Sequence, residues 1–160
     1  MNQYSVLVAR LQQDLGQIKT VVESAVSQVN KADKTGDLDY LQAATLSLQN
    51  FYMGVERTFE EIAKQVDRSL PTGASSHRDL WSEMRLEIPD SRPPVIDAET
   101  FKQLNEYRGF RHVAIHRYGF ELSPKRIREL VTDLPNCYLC YANQIEDFCQ
   151  FLMALNKSIN

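Results

Sequence analysis

Little in this 160-residue chain points to a covalent or metal-built scaffold: it has three Cys, three His and one Trp. Three Cys cannot all pair with one another and none has a secretory context, so a reducing, cytoplasmic setting is expected. No uninterrupted apolar run approaches the roughly 20 residues of a membrane span, and the N-terminal stretch lacks the charged-then-apolar pattern of a signal peptide. Strand-like alternation is nearly missing, and no repeat of fixed period occurs. An excess of cations is missing too. Lys and Arg number 18 against 21 Asp and Glu, a net charge of −3, which argues against polyanion binding on a global scale.

What is present is helical. At 43% hydrophobic and 24% charged, the length suits one globular domain over residues 1–160. Three segments repeat apolar residues at alternating steps of four and three. The first runs from Tyr4 through Leu11, Leu15, Ile18 and Val22 to Val29, with Gly36 as a stop and Asp37 as a new cap. The second carries Leu48, Tyr52, Val55, Phe59, Ile62 and Val66, with Glu56, Glu60, Lys64 and Arg68 on the solvated side and Pro71 as terminator. The third holds Tyr141, Ile145, Phe148, Leu152, Leu155 and Ile159. Between them, four prolines crowd residues 71–94 around a short helix near Ser76 to Leu86. Asp97 caps a helix from about Ala98 to Tyr118, with Gly119 as its stop. Ser123-Pro124 opens another helix, which Pro135 should kink or split. The expected fold is all-α, an antiparallel bundle of four or five helices.

The charge is unevenly distributed. Residues 107–128 contain Arg108, Arg111, Arg117, Lys125, Arg126 and Arg128 against Glu121, a local +5 that leaves −8 elsewhere. His112 and His116 lie in the same window. At about 100° per residue, Arg108, Arg111, His112, His116 and Tyr118 share an arc of roughly 160°, and Phe110, Val113 and Ala114 lie on the other side. Ile115 interrupts the polar arc, which suggests that another subunit partly covers this face. Arg and His without neighbouring carboxylates suit metal-independent RNA cleavage. A His near neutrality can take the proton of a ribose 2′-hydroxyl, and Arg can hold the phosphate and stabilise charge developing on it.

These residues carry a resemblance. The run Arg111-His112-Val113-Ala114-Ile115-His116-Arg117-Tyr118 fits R-x4-H-x-Y, the signature of HepT-like toxins in the HEPN superfamily of helical ribonucleases. The stretch from Asn50 to Ala63 resembles that family's second helix, and His77-Arg78-Asp79-Leu80-Trp81 and the flank Tyr107 to Leu122 are similar too. The likeness spans about Leu38 to Leu155. It implies a HEPN bundle that dimerises around the motif helix, placing two motifs in a shared ribonuclease cleft. Arg111 would bind and polarise the phosphate and His116 would act as general base or acid. His112 would be a helper and Arg108 an RNA-backbone contact. It implies two partners besides the second copy: an RNA substrate, and a minimal nucleotidyltransferase antitoxin that transfers AMP from ATP to Tyr118. No cofactor and no membrane partner is implied.

Other readings of the same residues are blander. The basic residues can solvate a helix end, and the chain can be a HEPN module that binds a nucleotidyltransferase or RNA without cutting it. His112 and His116 have the i, i+4 spacing of a metal pair, but no third ligand has fitting spacing, so no metal is expected. Cys137-x-x-Cys140 lacks a second pair and reads as helix packing, with Cys149 nine residues on. His77 reads as a first-turn helix residue, Trp81 as core, and Glu60, Glu61 and Asp67 as a solvated face.

Overall fold

The computed structural model describes residues 2–116 and 123–155, with side chains as far as Arg108 and again from Ser123. It contains five α-helices: α1 (Ser5–Thr35), α2 (Asp39–Ile62), α3 (Ser76–Met84), α4 (Ala98–His116) and α5 (Pro124–Leu155). The one extended pairing among the described residues is an isolated bridge between Ile88 and Arg92. No described helix is long and apolar enough to cross a membrane.

Side-chain contacts fix the directions of the helices. Arg10 reaches Glu61, a Cβ on Gly54 would touch Ile18, and Ser47 donates to Gln28, so α1 and α2 run antiparallel. Asn2 donates to the Leu152 carbonyl, Tyr138 to the Leu15 carbonyl and Arg128 to Asp33, so α5 also runs antiparallel to α1. Gln144 meets Thr100 and Tyr107 meets the Leu130 carbonyl, which sets α4 antiparallel to α5. The apolar stripes read from the sequence face inward. Leu11, Ile18, Leu48, Phe59, Tyr141 and Leu152 are all buried in one core.

Most of the helix ends follow their residues. Gly36 closes α1 at φ 73°, where its N–H reaches the Ala32 carbonyl. That left-handed turn favours a residue without Cβ. Asp97 accepts the Thr100 N–H at 2.7 Å and caps α4. Pro124 is the first residue of α5. Asp37 serves one position off: α2 starts at Asp39, whose N–H donates to Asp37 Oδ1 at 3.0 Å. Gly119 and Ile159 lie outside the described residues.

Four expectations are corrected. Pro71 is not the terminator of α2, which widens into a π turn over Ala63–Asp67 and stops at Arg68, φ 54°. Pro135 does not split its region, because α5 runs unbroken through it. A proline inside a helix forfeits one hydrogen bond and costs about 3 kcal/mol. Leu134 and Cys137, buried on either side of it, and the Tyr138 bond to α1 offset that loss. Glu56 is not solvated; it is 7% exposed. Tyr52 donates to its Oε1 at 2.8 Å, and His77 Nδ1 meets the same oxygen from α3. Asp67 is not on a solvated face either. The Arg92 side chain, 0% exposed, forks onto it with Nε–Oδ1 at 2.6 Å and Nη2–Oδ2 at 2.9 Å. Arg92 also donates to the carbonyls of Leu86, Pro93 and Glu83, so every side of the buried guanidinium is satisfied.

A candidate active-site helix

The candidate catalytic residues belong to α4, and its first half explains how they are held. Asp97 starts the helix, and its carboxyl is kept below the usual aspartate range mainly by the Thr100 backbone N–H. Leu104 and Tyr107 then bury against the bundle. Tyr107 packs edge-on to Phe51 of α2, with ring centroids 5.2 Å apart, and its hydroxyl donates to the Leu130 carbonyl at 2.7 Å. Burial drives this phenol far above the ordinary tyrosine range. It is therefore a neutral donor and a mechanical anchor, with no part in proton transfer at neutral pH.

Beyond that anchor the helical backbone continues through Arg108, Arg111 and His112 to His116. At about 100° per residue, Arg111 falls on the helix side nearest Tyr107, and His116 falls on the opposite side. Phe110 and Ala114 share the face on which Tyr107 is buried. Arg108 has a described side chain: its Nε donates to Asn105 Oδ1 at 2.7 Å. Tyr118 lies outside the described residues.

The basic window is less uniform than its sequence implies. Arg126 Nη2 bonds Glu106 Oε2 at 2.7 Å and its Nη1 lies 3.5 Å from Glu129. Arg128 pairs with Asp33 of α1 at 3.0 Å. Glu106 and Glu129 stand one residue outside the ends of 107–128, so the window reached +5 by stopping just short of two carboxylates. Over residues 106–129 the balance is +3. Arg126 and Arg128 thus stitch α5 to α4 and α1, whereas Lys125 of α5 makes no ion pair among the described residues.

Cysteine chemistry finds no support. Cys137 and Cys149 are buried, and burial pushes both thiols up to about 12, far from a thiolate nucleophile. No group of three or more His, Cys, Asp or Glu arranged for a metal ion occurs among the described residues.

The family model described as HepT-like protein matches residues 43–152. The chain belongs to the HepT-like family. The match runs from α2 into α5 and takes in the whole of α4, so the R-x4-H run of this HepT-like chain falls inside it. No curated protein and no solved structure matches the chain.

Sequence reasoning missed the joint between α2 and α3 in this HepT-like fold. Trp81 stacks on Tyr52 at 5.2 Å and 10°, and Phe59 meets it edge-on. The carboxylate of Glu56 sits beside that stack, under His77. A signal existed, since Tyr52 and Glu56 are spaced i, i+4 on one helix. Nothing in the second helix alone, however, shows that a histidine 21 residues later covers it.

Proposed function

We propose that this HepT-like protein is a metal-independent endoribonuclease toxin acting as a homodimer, and that a cognate minimal nucleotidyltransferase neutralises it by AMPylation of Tyr118. The observation that carries the reading is the placement of Arg111 and His116 on one helix, inside the family match, just past the buried anchor Tyr107. A rigid first half of α4 gives the second half a fixed origin, which a catalytic pair needs.

In this reading His116 takes the proton of a ribose 2′-hydroxyl. The oxygen attacks the adjacent phosphorus, the bond to the 5′-oxygen breaks, and that oxygen leaves with a proton. The products are a 2′,3′-cyclic phosphate and a 5′-hydroxyl. Arg111 forks onto the phosphate oxygens, where negative charge grows in the transition state. His112 shares or orients a proton, and Arg108 contacts the RNA backbone. Two copies bring their motif helices together across a shared cleft. In AMPylation, the Tyr118 oxygen attacks the α-phosphorus of ATP and pyrophosphate leaves. The adenylyl group then places a phosphate charge and bulk two residues from His116, where an RNA phosphate must enter.

The test is cleavage by the purified, unmodified chain in EDTA, with end-group analysis of the fragments. Cyclic phosphate ends without added metal are expected, and a strict metal requirement rejects the mechanism. Co-incubation with the nucleotidyltransferase and ATP should place AMP on Tyr118 by mass spectrometry, and modification elsewhere rejects that assignment.

A further inference from the structure

Between α4 and α5, directly below the motif, lies a cleft of about 500 Å³. That volume falls within the roughly 300–1,000 Å³ of small-molecule sites. Its α5 wall includes a stripe at steps of four, three and four, Arg126, Leu130, Asp133 and Cys137, flanked by Thr132 and Asn136. Two apolar positions of a core stripe thus alternate with two charges. Tyr107 joins Leu130 and Cys137 to make an apolar floor, because all three are buried.

The polar groups on this floor are unequally employed. Arg126 ties the two walls together through Glu106. Asp133 makes no hydrogen bond or ion pair among the described residues. Its side chain lines the cleft together with Tyr107 and Cys137, and its negative charge acts on both of those groups. On the α4 wall, the Gln103 amide oxygen is buried with no donor among the described residues, a polar group the protein itself leaves unsatisfied.

We propose that this cleft binds the guanine base of the nucleotide flanking the scissile phosphate. An ionised carboxylate only accepts, and it offers two oxygens side by side. Guanine is the base whose Watson–Crick edge presents two adjacent donors, N1–H and N2–H, to match them. Its other edge, O6 and N7, is the usual target of an arginine fork, which Arg126 offers once the base displaces its solvent-exposed partner Glu106. Arg126 and Asp133 are seven residues, about two turns, apart on one helix face, so both line the same cleft. The flat face of the base covers the apolar floor. The position also fits: Arg111 follows Tyr107 by four residues, about 6 Å of helix rise, a separation that one ribose bridges. The placement beside the scissile phosphate rests on the ribonuclease reading above; the recognition of guanine does not.

The test uses the full chain and two readouts. Guanosine, which carries no phosphate, is compared with adenosine, cytidine and uridine by saturation-transfer NMR titration. Guanosine should bind at least tenfold more tightly than the others. Asp133→Asn, isosteric and solvent-exposed, should lose that preference while its thermal melt stays unchanged. Arg111→Ala should keep the preference. The second readout is cleavage mapping on an RNA of mixed sequence, where cuts should fall next to guanosine, and Asp133→Asn should cut without base preference. Equal binding of the four nucleosides, no binding, or an unaltered preference in Asp133→Asn overturns the proposal even if the chain cleaves RNA. A guanosine preference in a chain that never cleaves RNA supports the base site and rejects the ribonuclease reading instead.

Discussion

Charged groups do opposite work at the two sides of this bundle. Around α3 they are consumed within the protein. Arg92 is enclosed and forked onto Asp67, and Glu56 is shut between Tyr52 and His77. Between α4 and α5 the charges stay at the surface: Asp133 has no partner among the described residues, and the ion pairs of Arg126 and Arg128 are solvent-exposed. Buried pairs cost much when one partner is removed, since the survivor is stranded in low dielectric. Exposed pairs are worth about 1 kcal/mol or less. The α3 side therefore belongs to stability and the α4–α5 side is free for function. Substitutions on the two sides should separate cleanly in an activity assay and a denaturation curve.

The largest separation is expected at Arg111 and His116. Either one changed to Ala should lower RNA cleavage by about a thousandfold, the scale of losing a charge stabiliser or a general base. The urea midpoint should hardly move. A large fall in stability with cleavage retained per folded molecule would break the comparison outright. Arg111→Lys should remain defective, because an ammonium lacks the planar fork.

The converse is Arg92→Ala. Asp67 then loses its buried partner, and unfolding free energy should drop by about 3–5 kcal/mol in urea titration. Cleavage per folded molecule should persist at low temperature.

Asp97→Ala probes the foundation of α4 and should cost about 1 kcal/mol at neutral pH. Its pH dependence has a definite sign. The folded-state pKa of Asp97 lies below its unfolded value, so the cap contributes fully above the unfolded pKa of about 3.9 and is lost as pH falls through the folded value. Wild type and variant should therefore converge in stability in strong acid, measured by melts across pH 2–7. A difference that persists in acid would show that the cap works without its charge.

A comparably small effect is expected for Gly54→Ala, where the Cβ would sit 2.8 Å from Ile18 Cγ1. Overpacking of about 1–3 kcal/mol is partly offset by the roughly 1 kcal/mol that Ala gains over Gly in a helix. A net loss of about 1 kcal/mol follows, and pairing it with Ile18→Ala in a double-mutant cycle should show strong coupling.

The division between the two sides also marks what sequence could reveal. Stripes such as Leu11–Leu15–Ile18–Val22 were legible because period alone sets which face is buried. The same logic misread Glu56 and Asp67. A carboxylate beside a stripe reads as solvated unless its partner is known, and those partners, His77 and Arg92, come 21 and 25 residues later from segments without periodicity. The expected split at Pro135 does not occur because the loss it brings is local, whereas packing against α1 outweighs it. At the candidate site, the identity of Arg111, His112 and His116 was legible as a motif. The alternation of charge and core along Arg126, Leu130, Asp133 and Cys137 was not, since the window that drew attention to Arg126 stopped at residue 128.

The seam between α1 and α5 has a kinetic meaning. Asn2 grips the carbonyl of Leu152, 150 residues away, and Leu15 and Asp33 repeat the grip on Tyr138 and Arg128. Closing so large a loop adds little to the equilibrium cost, because that cost grows only with the logarithm of length. It adds more to the time, since distant contacts form late. The α1–α2 hairpin can assemble early, but the wall that carries Asp133 and Arg126 is seated only when α5 docks. The surface that faces the motif helix is thus among the last parts of the fold to be completed.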